Sequence, residues 1–146
     1  MTDWREVDAE WRENGTFTGN NSKGVSVQMG SAEGKPGFSP MELLLVSLAG
    51  CTGMDIADIM LKKRQPLNAL KVKVRGLRAM DFPKVYKEIE VTYLAWGDGI
   101  KPSALEQAIA LSEEKYCSVS LMLGAVAQIH TSYHILSPGE PEPSLM

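Results

Sequence analysis

Cysteine is scarce in this chain: Cys51 and Cys117 are the two among 146 residues. Two thiols cannot build the disulfide framework of a small secreted domain. A chain of this length buries roughly two-thirds of its unfolded surface, so it needs neither disulfides nor a structural metal to fold. A basic excess is also missing. Fifteen Lys and Arg stand against eighteen Asp and Glu, a formal charge of -3, which argues against a protein that coats nucleic acid or an anionic membrane. Aromatic residues are only 7% of the chain, and Trp4, Trp11 and Trp96 read as packing residues rather than a stacking platform. Met1-Thr2-Asp3-Trp4-Arg5-Glu6 carries no secretory pattern, so the expected compartment is the reducing cytoplasm. The longest apolar stretch, Leu43 to Met54, falls short of the roughly 20 residues that span a bilayer. The expectation is therefore one domain over residues 1–137, followed by a flexible tail, 138–146, rich in proline and charge.

The apolar stretch opens on two helix-start signals. Ser39-Pro40-Met41-Glu42 has the form of a capping box, with Ser39 as N-cap, Pro40 at the first helical position and Glu42 at the third. Leu43, Leu44, Leu45, Val46, Leu48, Ala49 and Cys51 then face nearly every direction around the axis, so this helix is expected to lie inside the protein. It should run to Lys62-Lys63-Arg64 and stop at Gln65-Pro66. Before it, Val25, Val27 and Met29 alternate with polar residues as in a half-buried strand, pairing with Thr16-Phe17-Thr18. The loop Gly30 to Gly37 contains Gly30…Gly34-Lys35, but its spacing and Pro36 exclude a phosphate-binding loop. Leu70, Val72 and Val74 alternate with Lys71, Lys73 and Arg75, and Ile89, Val91 and Tyr93 alternate with Glu88, Glu90 and Thr92. The basic face of one strand opposite the acidic face of the other predicts an antiparallel hairpin. Ser103-Ala104-Leu105-Glu106 offers a second capping box after Pro102. The helix it starts should kink near Tyr116-Cys117, and a last strand should run from Ala127 to Leu136.

Among residues able to carry chemistry, the two cysteines come first, because a thiolate is a strong nucleophile near neutral pH. Cys51 falls in the apolar helix beside Gly50 and Gly53. Cys117 falls where a helical segment begins, a place where backbone amides lower a thiol pKa. The competing reading is that both are small buried hydrophobes. His130 and His134 do not join them in a metal site, since strand residues four apart are separated by about 13 Å. Asp55 and Asp58 read as solvated positions on the polar part of the helix.

Ser39-Pro40-Met41-Glu42-Leu43-Leu44-Leu45, Gly50-Cys51-Thr52-Gly53-Met54-Asp55 and Leu111-Ser112-Glu113-Glu114-Lys115-Tyr116-Cys117-Ser118-Val119 resemble segments of the OsmC/Ohr family, the osmotically inducible and organic hydroperoxide resistance proteins. The order of elements matches from about Thr16 to Leu136. The resemblance implies an α+β fold, with two central helices packed against curved antiparallel sheets in an intertwined homodimer. It also implies thiol chemistry without metal, haem or flavin. Cys51 would be the peroxidatic residue attacking an organic hydroperoxide, Cys117 the resolving one, and an external dithiol, such as a lipoyl group, the reductant. Family members that reduce peroxides hold the thiolate with an arginine oriented by a glutamate. Gly19-Asn20-Asn21-Ser22-Lys23-Gly24 contains no arginine; Lys23 is the cation there. Glu42, the candidate glutamate, stands one position late, a rotation of about 100° around the helix. Two other readings stay open: a redox-sensing or thiol-transfer protein without rapid peroxide turnover, and an apolar-ligand-binding module with passive thiols.

Overall fold

Two three-stranded sheets and a series of helices give the chain an α+β architecture. The computed structural model describes residues 3–12, 15–30 and 36–144. Outside them lie Met1 and Thr2 of the N-terminal segment, Gly34 and Lys35 of the glycine loop, and residues 145 and 146 of the tail. The chain divides into two units, Met1–Leu44 and Leu45–Met146.

The first unit carries an antiparallel sheet of β1 (Val7–Arg12), β2 (Thr16–Asn21) and β3 (Ser26–Gly30). Phe17 lies opposite Met29, as the alternation of Val25, Val27 and Met29 requires. The turn between β2 and β3 is held by Asn21, whose Oδ1 accepts from the amides of Lys23 and Val25 at 2.9 and 3.0 Å. Gly24 takes the left-handed φ of 81° there, which a side chain would resist. β1 was not expected from the sequence. The capping box forms as read. Glu42 N–H donates to Ser39 Oγ at 3.1 Å, and Ser39 N–H donates to Glu42 Oε1 at 2.8 Å.

Helix α1 (Pro40–Lys62) has 23 residues and continues through the second unit. It extends well past the apolar stretch, and by length and composition alone it could cross a membrane. Its buried residues, however, are Leu48, Thr52, Ile56 and Met60, one stripe at every fourth position. The expectation that the whole helix lies inside is corrected: Met54 is 76% and Leu61 63% exposed. A single chain covers one stripe of a helix that is apolar nearly all round. Gly53 brings α1 close to the second sheet, since a Cβ there would meet Val72 Cγ2 at 3.3 Å.

The second sheet has the order β4 (Ala69–Arg78), β5 (Tyr86–Trp96), β6 (Gln128–Leu136). β4 and β5 form the expected antiparallel hairpin, with Arg75 opposite and bonded to Glu90. Lys71 and Lys73 face Leu94 and Thr92 instead of acidic residues, and both pair with Glu142 of the tail. The tail touches the sheet again where Trp96 Nε1 donates to Glu140 O at 2.6 Å. β6 runs parallel to β5, so this sheet is mixed rather than wholly antiparallel. A parallel neighbour needs a crossover connection, and the helices between β5 and β6 supply it. The core beneath them includes Ile89, Tyr93, Leu94, Leu105 and Ala108, all at 0% exposure.

That crossover consists of α2 (Pro102–Leu111), a π-helical turn (Ser112–Tyr116) and α3 (Ser118–Gly124). The second capping box does not form. Pro102 is helical, Lys101 is the N-cap, and no side chain caps the end. Glu106 instead accepts from the Tyr133 hydroxyl at 2.5 Å. The kink falls where expected, at Cys117, whose backbone is extended with φ -84° and ψ 102°.

Candidate active site

Cys51 stands on α1 next to Thr52, a member of the buried stripe, and is itself half-buried. Cys117 is fully buried at the start of α3. Two features of the local chain place it. The π turn widens the helix by a residue, with Cys117 N–H donating to Ser112 O at 2.7 Å. Cys117 then serves as N-cap of α3, its Sγ accepting from Ser120 N–H at 3.2 Å. The two cysteines, 66 positions apart, are hydrogen-bonded side chain to side chain. Both are free thiols.

The electrostatics of the pair are unequal. Burial, and then the hydrogen bond with Cys51, push the Cys117 thiol up to about 12. The amides of Ser120 and Val119 pull it down, which is the helix-start effect expected from the sequence, but desolvation outweighs them. Burial thus favours the protonated form of Cys117.

Behind the sulfurs lies a polar group that motif reading missed. The buried Tyr93 hydroxyl on β5 donates to Glu113 Oε2 at 2.5 Å. Burial, and then that carboxylate, hold the Tyr93 pKa above its ordinary value. Thr131 on β6 donates to the same carboxylate, 2.8 Å from Oε1 and 2.9 Å from Oε2. Thr52 is bonded to the Tyr93 hydroxyl and also donates to Leu48 O at 2.9 Å. Ser112 Oγ donates to Asp55 Oδ2 at 2.9 Å. Asp55 is thus not the solvated residue expected, whereas Asp58 is, paired at the surface with Lys62. The available signal was that Ser112 and Glu113 fall inside the cysteine motif itself.

Cys51 and Cys117 are the site residues brought together. Glu42 and Lys23 belong to the N-terminal unit, Glu42 in its cap and Lys23 in the β2–β3 turn. His130 bonds to Glu88 across the sheet at 3.2 Å. Among the described residues, no three His, Cys, Asp or Glu side chains converge as metal ligands would. A polar cleft of about 690 Å³, lined by Lys63, Gln65, Ser103, Ala104, Glu106 and Gln107, includes neither cysteine.

One cysteine on the long helix α1 and the other at the break of the crossover between two strands define a class that comparison identifies. The family model for OsmC-like protein matches residues 31–135, and the chain belongs to that family. Among individual proteins, it is 34% identical over 128 residues to Protein YhfA of Escherichia coli strain K12, covering 88% of this chain and 96% of the relative. The crystal structure of a hypothetical protein from Aquifex aeolicus VF5 superposes with a TM-score of 0.84 at 38% identity, covering 93% of this chain and 98% of that one. The OsmC like protein from Mycoplasma pneumoniae, at 17% identity, shares the fold with a TM-score of 0.82 over 93% of this chain and 99% of its own.

Proposed function

We propose that this protein reduces organic hydroperoxides through its two thiols, with Cys51 as the peroxidatic residue and Cys117 as the resolving one. The observation that carries this reading is the inequality of the pair: a half-buried sulfur bonded to a fully buried thiol that holds its proton. Of the two sulfurs, Cys51 is the one with a face open to a substrate. Its thiolate attacks the O–O bond and forms a sulfenic acid, and the alkoxide expelled takes a proton to become the alcohol. Cys117 then attacks the Cys51 sulfur. The sulfenic oxygen leaves as water with the Cys117 proton, and a Cys51–Cys117 disulfide remains. An external dithiol, of the lipoyl type, restores both thiols by exchange. Family membership supports this chemistry. We assign Glu42 to the helix cap rather than to the thiol, because its carboxylate is bonded to Ser39 N–H.

Met54, three positions beyond Cys51, and Leu121, four beyond Cys117, lie a helical turn from each sulfur and are 76% and 57% exposed. They favour an apolar peroxide over hydrogen peroxide, and with Met122 and Leu61 they favour a homodimer that buries these faces. A cytoplasmic setting would keep the resting enzyme as the dithiol.

Titration with cumene hydroperoxide tests the reading. Wild type should lose two thiols per chain and release one cumyl alcohol. Cys51→Ser should consume nothing, and Cys117→Ser should stop at a sulfenic acid that dimedone traps. Wild type that keeps both thiols refutes the assignment, and loss over hours rather than seconds favours the redox-sensing reading.

A further inference from the structure

The resolving step needs two sulfurs on different elements to meet within bonding distance, and Cys117 sits on a break in the chain between α2 and α3. Such a break is the place where a thiol would swing unless something holds it. Two ties hold this one, both from the first two residues of the π turn that leads to Cys117. Ser112 donates to Asp55 at 2.9 Å, fixing the start of the π turn to the helix that carries Cys51. Glu113 accepts from Tyr93 at 2.5 Å and from Thr131 at 2.8 and 2.9 Å, fixing the next residue to two strands of the sheet. Its backbone oxygen also accepts from Ser120 Oγ at 3.4 Å, so the turns before and after Cys117 are joined. Tyr93 is fully buried, and its ring and hydroxyl are set by the core rather than by solvent.

We propose that Glu113 is the positioning residue of the thiol pair, holding the π turn against Tyr93 and Thr131 so that the Cys117 sulfur stays in reach of Cys51. It touches neither substrate nor sulfur. Its effect is on effective concentration: a held thiol closes the disulfide as a unimolecular step, whereas a mobile one forfeits part of that advantage. The inference deepens the proposed peroxidase reading and rests on it for the order of the two thiols, but the quantity it predicts can be measured without any peroxide.

The experiment equilibrates wild type, Glu113→Ala, Glu113→Gln and Thr131→Val with reduced and oxidised glutathione, and measures the fraction of Cys51–Cys117 disulfide by mass after acid quench. Glu113→Ala should lower the equilibrium constant for closing the disulfide at least tenfold, which is about 30 mV for a two-electron couple. Glu113→Gln keeps an oxygen acceptor and the side-chain length, so it should recover most of that loss. Thr131→Val removes a single hydroxyl from an exposed position and should fold even if Glu113→Ala does not; it should shift the constant about threefold in the same direction. After cumene hydroperoxide, Glu113→Ala should give a dimedone adduct on Cys51 with Cys117 present, where wild type gives disulfide. Constants within a factor of two of wild type in folded Glu113→Ala, or in Thr131→Val if that variant alone folds, overturn the proposal, as does failure of Glu113→Gln to recover. If wild type closes the disulfide in glutathione but spares peroxide, while Glu113→Ala and Thr131→Val shift the constant, the peroxidase reading falls and positioning stands. If wild type turns over peroxide and no Glu113 or Thr131 variant moves the constant, the reverse holds.

Discussion

The state of the Cys117 proton is the most quantitative consequence of the site. Its thiol is pushed from an ordinary 9.0 up to about 12, with burial the larger cause and the Cys51 hydrogen bond the second. Three decades in pKa are three decades in thiolate population well below pH 9. At neutral pH Cys117 should therefore carry on the order of a thousandfold less thiolate than an open cysteine. Cys51→Ala removes the second cause and leaves the first, with the Ser120 and Val119 amides still opposing it, so the variant isolates burial. Alkylation of its remaining thiol by iodoacetamide, followed by mass spectrometry from pH 6 to 11, should accelerate about tenfold per pH unit and show no plateau below pH 10. The slope is the diagnostic, because steric shielding lowers the rate equally at every pH. Stability follows with a definite sign. Between about 9 and about 12 the folded chain still binds the Cys117 proton while the unfolded chain has released it, so stability is fully present below that window and is lost as pH rises through it. A rate that is half-maximal near the ordinary 9.0 and level above it would refute the argument that burial dominates.

Other expectations concern the fold. Gly97→Ala should destabilise by about 3 kcal/mol or more in urea unfolding, because the added Cβ would lie 1.9 Å from Pro66 O, a backbone atom that cannot step aside cheaply; a cost below 1 kcal/mol would contradict the close approach drawn there. Sedimentation equilibrium at low micromolar concentration should give twice the 16.0 kDa chain mass, since the exposed apolar residues of α1 and α3 favour a second copy; a monomer there would remove that reading.

How far the sequence was legible depends on the kind of signal. Where apolar residues alternate, as in Leu70-Val72-Val74 and Ile89-Val91-Tyr93, strand and antiparallel partner follow from local pattern, whereas the register does not: of Lys71, Lys73 and Arg75 only Arg75 stands opposite an acid, Glu90. The two serine capping boxes show what pattern alone misses. Ser39 precedes Pro40 and caps, whereas Ser103 follows Pro102, which already occupies the first helical position, so Ser103 falls inside the helix. β1 went unseen because all six of its residues are exposed and no core face marks it. The cysteine pair could be named from its motifs. The group behind it could not, because Asp55, Tyr93, Glu113 and Thr131 come from four elements and meet only after the crossover returns β6 beside β5. The π turn has no periodic signature either: its defining bond, Cys117 N–H to Ser112 O, is set by the ties around it.

The central claim is that Cys51 and Cys117 act as one redox pair within a single chain. The most direct measurement is peptide mapping without reduction, after one equivalent of an alkyl hydroperoxide, on a mixture of isotope-labelled and unlabelled protein. The account predicts a Cys51–Cys117 cross-link in which both peptides carry the same label. Like cysteines joined, mixed labels across the Cys51–Cys117 link, or two thiols still free would contradict it.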